Sequence, residues 1–279
     1  MLLIADSGST KTEWCLVNTE TRMFKTCHTS GINPLYQDEE SILQLLQVEY
    51  TLPVTPLHAV FFYGAGCIND QVSDRVRMLL SEHFRCLSVA VQSDLMAAAR
   101  SLCQNHEGIA CILGTGSNSC YYNGLEIVRH VSPLGYVLGD EGSGAVIGKK
   151  FMSDLLKKQL PDDIAGRFFE KYGLSSDQVL EQVYKKPYPN RFLAQFTRFI
   201  HENLHEASLR KLVKDGFAEF FSRNIRQYPE AHKLPVHFTG SVAWYFKDIL
   251  EESAAESGFQ TGIITLNPME GLIQYHLNY

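Results

Sequence analysis

Two short stretches carry the residue types for phosphate chemistry. DSGSTKT (6–12) is a Gly/Ser/Thr-rich turn directly after the apolar run 2–5, and LGTGSNS (113–119) repeats that arrangement a hundred residues later. Glycine lets a backbone come close to a phosphate, and successive N–H groups and hydroxyls in such a turn can donate to it. Neither stretch is a P-loop, which requires G-x-x-x-x-G-K-[ST] running into a helix. After the first turn comes TEWCLV (12–17), too short for a helix and rich in β-formers. Three acidic residues stand at element ends: Asp6 closes the first apolar run, Asp94 opens a helical pattern, and Asp140 sits in GDEGSG (139–144). Two decoys overlap the last stretch. GSGAVIG is one residue off a dinucleotide fingerprint, and GSGAVIGKK lacks the final Ser/Thr of a P-loop, so both are set aside.

The elements that must hold these residues follow from periodicity. Residues 2–5 read as a buried strand, 12–17 as a second, and RMFKTCH (22–28) alternates as a third. A short helix is expected in 42–50, a strand in 57–66, a helix in 69–84 capped by Asn69 or Asp70, a strand in 87–91, and a helix from 94 capped by Ser93. A second strand–turn–strand meander occupies 109–131, a long helix follows in 139–160, and 161–228 is mostly helical. Then come a strand (235–240), a helix (241–257), a strand (261–266) and a closing helix (268–277). ILGTGSNS lies over IADSGSTK, so the two halves share one plan. Strands alternating with helices give an α/β fold, with parallel strands added after each meander and two halves facing a cleft.

The bulk numbers narrow the partners. The 279 residues are 45% apolar and 20% charged, with a net charge of −6 and no Lys/Arg run longer than a pair. That balance argues against nucleic-acid or membrane-surface binding, both of which want a concentrated basic patch. The apolar start is too short for a signal peptide, and no stretch has the length of a transmembrane helix, so a cytoplasmic location is expected. Seven cysteines, odd in number and without a C-x2-C pair, read as buried free thiols rather than metal ligands. Trp14 and Trp244 read as core.

Six segments in order, ADSGSTKTEW (5–14), SGINP (30–34), QSDLMAAA (92–99), LGTGSNS (113–119), GYVLGDEGSG (135–144) and FTGSVAWYF (238–246), resemble the N-acetylglucosamine kinase and BadF/BadG/BcrA/BcrD-type ATPase family, within the actin/hexokinase/Hsp70 superfamily. The resemblance runs over nearly the whole chain. It implies two ribonuclease H-like (actin-like ATPase) domains: 1–108, then 109–267 with a helical insertion at about 150–230, and a final helix, 268–279, returning to the first domain. It implies ATP and Mg²⁺ as cofactors and a small sugar as substrate, and leaves room for a homodimer. Asp6 would hold Mg²⁺, largely through water. Gly8, Ser9, Thr10 and Lys11 would grip the phosphates from one side, and Gly114, Thr115, Gly116 and Ser117 from the other. Asp94 would receive the proton of the sugar hydroxyl, with Asn33, Thr115 and Asp140 also at the sugar. Gly240 and Ser241 would pack the adenosine. Tyr136 stands where related sequences often carry Trp, and Pro133-Leu134 replace a Gly pair, which bears on the identity of the sugar.

The expected activity is therefore ATP-dependent phosphorylation of an amino sugar of the N-acetylglucosamine or glucosamine type. The rivals are an ATPase energising a dehydratase or reductase, whose members carry cluster-ligating cysteines, and a non-catalytic sugar sensor. The cysteine spacing speaks against the first. For the second, neither a helix-turn-helix ahead of the first strand nor a zinc-binding cysteine cluster is legible.

Overall fold

β1 (Leu2–Ser7) takes the first apolar run, and β2 (Lys11–Val17) returns beside it antiparallel, setting Asp6 opposite Glu13 and Ser7 opposite Thr12. β3 (Phe24–Ser30) completes the meander. These elements are those of a computed structural model, which describes every residue except 9, 54, 68 and 279. Next come α1 (Glu39–Glu49), β4 (Ala59–Gly64), α2 (Asp70–Phe84), β5 (Val89–Ser93) and α3 (Asp94–Cys103). β4 and β5 add in parallel beside β1, giving the order β3-β2-β1-β4-β5. Side-chain caps fix the helix starts: Asn69 accepts the Val72 N–H at 3.0 Å, and Ser93 accepts the Met96 N–H at 3.2 Å.

Period-two alternation sorts this sheet's residues onto two cores. Leu3, Ala5, Trp14 and Leu16 pack with Ile42 and Leu46 of α1 and with Val76, Leu79 and Leu80 of α2. Ile4, Cys15 and Val17 point to the other face, against Ala97 of α3 and Met269, Leu272 and Ile273 of the C-terminal helix. Asp6 shares the parity of Ile4, so it leaves the strand on the α3 face.

The plan then repeats. β6 (Glu107–Leu113), β7 (Ser117–Asn123) and β8 (Ile127–Val131) form a second antiparallel meander. Seven helices follow: α4 (Gly135–Leu138), α5 (Gly144–Leu156), α6 (Asp162–Tyr172), α7 (Ser176–Tyr184), α8 (Pro189–Ala194), α9 (Thr197–Glu202) and α10 (Ala207–Arg223). After two 3-10 turns come β9 (Val236–Thr239), α11 (Ser241–Tyr245), α12 (Lys247–Glu256), β10 (Thr261–Thr265) and α13 (Met269–Leu277). β9 and β10 add in parallel beside β6, so the order β8-β7-β6-β9-β10 copies the first sheet. Met1–Asn105 with Pro268–Tyr279 forms one unit and His106–Asn267 the other. The α/β repeat expected from the two turns is therefore present in both sheets.

Three details differ from the sequence reading. The helix expected over 241–257 is two pieces, because Phe246, 2% exposed, leaves helical geometry (φ −107°, ψ 25°) to bury its ring. Trp14 is fully buried as expected, but Trp244 is 44% exposed and is not a core residue. Residues 135–138, assigned to no element from the sequence, make a short helix that Lys149 steadies by donating to the Tyr136 carbonyl at 2.7 Å. All seven cysteines are buried, and none is in a disulfide among the described residues. Among the described residues no helix is long and apolar enough to cross a membrane.

Candidate active site

In the first unit the turn after β1 is built on buried hydroxyls. Ser7 Oγ lies 2.7 Å from Thr12 Oγ1 and donates to the Ile32 carbonyl at 3.0 Å, while the Ile32 N–H donates back to Ser7 Oγ at 2.9 Å. The Gly8 N–H donates to the Lys11 carbonyl and the Gly31 N–H to that of Thr10, each at 3.0 Å. The loop 31–37 is thereby fastened to the turn, which leaves Gly8 partly exposed and Thr10 and Lys11 exposed. Ser9 lies outside the described residues.

Asp6 and Asp94 converge on the α3 face. Asp94 is the first residue of α3, and its Oδ1 accepts the Leu95 N–H at 2.8 Å. Burial, then the nearby charges of Asp94 and Glu13, push the Asp6 carboxyl up to about 7, with Lys11 pulling the other way. Burial also raises Asp94, against the lowering effect of its backbone hydrogen bonds. No salt bridge to either carboxylate is formed among the described residues, so the pair would welcome a cation. Among those residues no group of three or more His, Cys, Asp or Glu side chains could itself hold a metal. One or two carboxylates completed by water and phosphate oxygens is the donor set Mg²⁺ takes, and the site fits that ion.

Asn33 serves its own loop. Its Oδ1 accepts the Leu35 N–H at 3.0 Å, and its carbonyl accepts the Tyr36 and Gln37 N–H groups at 3.1 Å. Its side chain lies directly against Gly66, whose φ of +89° and missing Cβ both matter: a Cβ there would collide with Asn33 Oδ1.

In the second unit, residues 114–117 close the β6–β7 hairpin. The N-terminus of α5 holds this turn from behind, with Gly144 N–H donating to the Gly114 carbonyl at 2.8 Å and Ala145 N–H to that of Thr115 at 3.0 Å. Asp140 (φ 55°) reaches the same turn, its Oδ1 accepting the Ser117 N–H at 3.2 Å. Burial raises the Asp140 carboxyl, the Ser117 bond lowers it, Glu141 raises it and Lys149 lowers it. Gly240 (φ +120°) lies against Leu113 and Gly114, so the end of β9 touches the turn as well. Ser241 opens onto a cavity of about 510 Å³ between α9 and α11, also lined by Thr197, His201, Val242 and Tyr245. The His201 and Tyr245 rings meet edge to face at 5.4 Å.

Each unit thus sets a glycine-rich turn at the end of its central strand and braces it with the following loop. The chain is similar in structure to a protein of Porphyromonas gingivalis provisionally assigned as an N-acetylglucosamine kinase, at 45% identity and a TM-score of 0.96, over 100% of this chain and 99% of that one. The chain belongs to the N-acetylglucosamine kinase family. Two other solved structures share the fold at 16% identity. One is a protein of Chromobacterium violaceum, provisionally assigned in the same way (TM-score 0.77, 98% of each chain). The other is a ROK-family glucokinase from Streptomyces griseus in complex with glucose and AMPPNP (TM-score 0.56, 98% of this chain and 97% of that one). No protein-family model and no curated protein matches the chain.

Within this family member, Asp6, Gly8, Thr10, Lys11, Asn33 and Asp94 lie in the first unit, and Gly114–Ser117, Asp140, Gly240 and Ser241 in the second. Sequence reasoning passed over Ser7 and Thr12, whose hydroxyls fix the first turn, and Glu13, which faces Asp6 across the ladder. Strand parity could have found Glu13, since it points to the same face as Asp6. Gly66 and the lining of the cavity beside Ser241 leave no comparable trace in the sequence, because they meet their partners only through the fold.

Proposed function

We propose that this chain is an ATP- and Mg²⁺-dependent kinase that phosphorylates a hydroxyl of an amino sugar of the N-acetylglucosamine type, and that it works in the cytoplasm. The observation that carries the reading is the Asp6–Asp94 pair, two unbridged carboxylates on one face of the first sheet. The 45% identity to the Porphyromonas protein supports the substrate class.

In this reading Asp94 binds the acceptor hydroxyl, orients its oxygen and takes its proton late, as the new oxygen–phosphorus bond forms and the bond from the γ-phosphorus to the bridging oxygen breaks to release ADP. A carboxylate whose affinity for a proton is raised by burial suits that task better than an ordinary one. The N–H groups of the two glycine-rich turns neutralise charge on the phosphates, with Lys11 adding a point charge. Asp6 would hold Mg²⁺ through water, and the ion would supply charge neutralisation at the phosphates. Asn33 has its Oδ1 occupied by Leu35, which leaves Nδ2 to donate to the sugar. Asp140 and Thr115 are assigned to sugar binding as well, and the cavity beside Ser241 takes the nucleoside.

The test is ADP release with Mg·ATP across amino sugars, N-acetyl sugars and plain hexoses, with Asp94→Asn in parallel. One sugar should stimulate turnover, and the variant should lose that stimulation while still binding nucleotide. Turnover stimulated by no sugar, or retained in full by the variant, overturns the reading.

A further inference from the structure

Glu141 is the only acidic residue among those described that the fold buries outright, at 6% exposure. A carboxylate removed from water is costly unless it is paired and hydrogen-bonded. Glu141 is both: Arg223 Nε lies 2.8 Å from its Oε1, and Asn224 Nδ2, from a side chain itself buried, donates to its Oε2 at 3.1 Å. Both partners sit at the C-terminal end of α10, so Glu141 ties the loop after α4 to that helix.

The residues on either side point elsewhere. Asp140 (φ 55°) and Gly142 (φ +72°) both adopt left-handed backbone, and the Ser143 N–H closes the bend by donating to the Asp140 carbonyl at 3.0 Å. With Glu141 drawn toward α10, Asp140 is turned toward the hairpin at 114–117, where it receives the Ser117 N–H. Immediately after the bend, the first amides of α5 donate to the Gly114 and Thr115 carbonyls. Three hydrogen bonds thus run from this loop to the turn, and Glu141 makes none of them.

We propose that Glu141, clamped by Arg223 and Asn224, is a positioning residue for the second phosphate turn and acts on it through Asp140. Its service to the reaction rests on the kinase reading above; its hold on the turn does not. A merely structural anchor would stabilise the unit without setting the order of residues 114–117. The clamp instead sets how firmly the Ser117 amide is held, and with it the donors offered to the phosphates.

The experiment measures hydrogen exchange at the Ser117 amide and sugar-dependent kcat/KM in the full chain, for Glu141→Ala, Glu141→Gln, Asp140→Gly and the Glu141→Ala/Asp140→Gly double variant. Glycine at 140 keeps the left-handed backbone while removing the carboxylate. Each of Glu141→Ala and Asp140→Gly should speed Ser117 exchange by about tenfold or more, as expected for losing a charged hydrogen bond. Each should also lower kcat/KM by about 10–100-fold, and the double variant should be no worse than Asp140→Gly alone, the signature of one residue acting through the other. Glu141→Gln keeps an acceptor for Asn224 and should recover part of both effects. If Glu141→Ala does not fold, Asn224→Ala, which removes one of the two tethers, carries the same comparison. Wild-type exchange in Glu141→Ala, or additive effects in the double variant, overturns the proposal. Faster exchange with unchanged kcat/KM also overturns the positioning role. If exchange responds as stated but the wild-type chain phosphorylates no sugar, the kinase reading falls and the tether from Glu141 to the turn stands.

Discussion

Gly240 lies so close to Leu113 that any Cβ at position 240 would collide with the Leu113 carbonyl oxygen. Its φ of +120° is a second reason why only glycine fits there. The end of β9 therefore props the turn at 114–117, so the residue proposed to contact adenosine also supports the turn proposed to hold the phosphates. Gly240→Ala should destabilise the chain by about 2–4 kcal/mol, the range for forced contacts and strained backbone. Titration calorimetry should show Mg·ADP affinity reduced about tenfold or more, since phosphate donors act only when pre-placed. Wild-type affinity in a folded variant would mean that β9 does not set the turn.

Asp94 makes a prediction about pH. Burial lifts its carboxyl above the ordinary range, and the base role proposed for it requires the ionised form. The acid limb of kcat/KM for sugar phosphorylation should therefore lie above the value of about 3.9 for a free Asp. Asp94→Asn should lower kcat by about 10²–10⁴, the usual worth of a positioned base. Mg·ADP affinity should stay within about twofold, since the nucleotide does not need the proton acceptor. An unshifted acid limb, or a variant with near-normal kcat, would assign the base elsewhere.

Much of this site is legible in the chain because its parts are local. A glycine-rich turn after an apolar run, a helix opening Ser93-Asp94, and the repeat of IADSGSTK in ILGTGSNS all follow from spacing and turn chemistry. Strand parity then assigns Asp6 to the α3 face. Parts made by distant residues leave little trace: Glu141 meets Asn224 across 83 positions, and Tyr63 meets His276 across 213. The break at Phe246 was hidden for another reason. Helical periodicity continues through it, while the backbone leaves helical geometry at a residue whose ring is buried in the core.

Gly66 and Asn33 make such a distant contact a test of the sugar role proposed for Asn33. The Asn33 side chain rests on the glycine, and Arg75 reaches the neighbouring Pro34 carbonyl, so the loop is held from two sides. Gly66→Ala adds a methyl group where Asn33 Oδ1 now sits and must push that side chain away. The KM for the sugar should rise about tenfold or more, consistent with a misplaced polar contact. The KM for ATP should rise less, because the added methyl group meets the Asn33 side chain, while the loop's bonds to the first turn run through Gly31 and Ile32. Steady-state kinetics with each substrate varied in turn decides it. Equal rises in both KM values would show that the loop and the turn move as one body.

His276 gives the first unit a pH-dependent stability unconnected with turnover. Arg100 donates to Tyr63 Oη at 2.9 Å, which directs the Tyr63 proton to His276 Nε2, 2.8 Å away. The ring also stacks on Phe61, with centroids 3.7 Å apart. An imidazole accepting there must be neutral, and burial together with the Arg100 charge lowers its pKa to about 3. In the unfolded chain the same group titrates near 6.5. Between those values the unfolded state binds a proton that the folded state refuses. The His276 contribution is therefore complete above about pH 6.5 and is lost as pH falls toward 3, by at most about 1.4 kcal/mol per unit. Urea unfolding of the wild type should show a clear loss of stability between pH 7.5 and pH 5. His276→Phe should be less stable at pH 7.5, because the Tyr63 hydroxyl loses its acceptor, but its stability should fall less over the same interval. An equally steep fall in the variant would place the titrating group elsewhere.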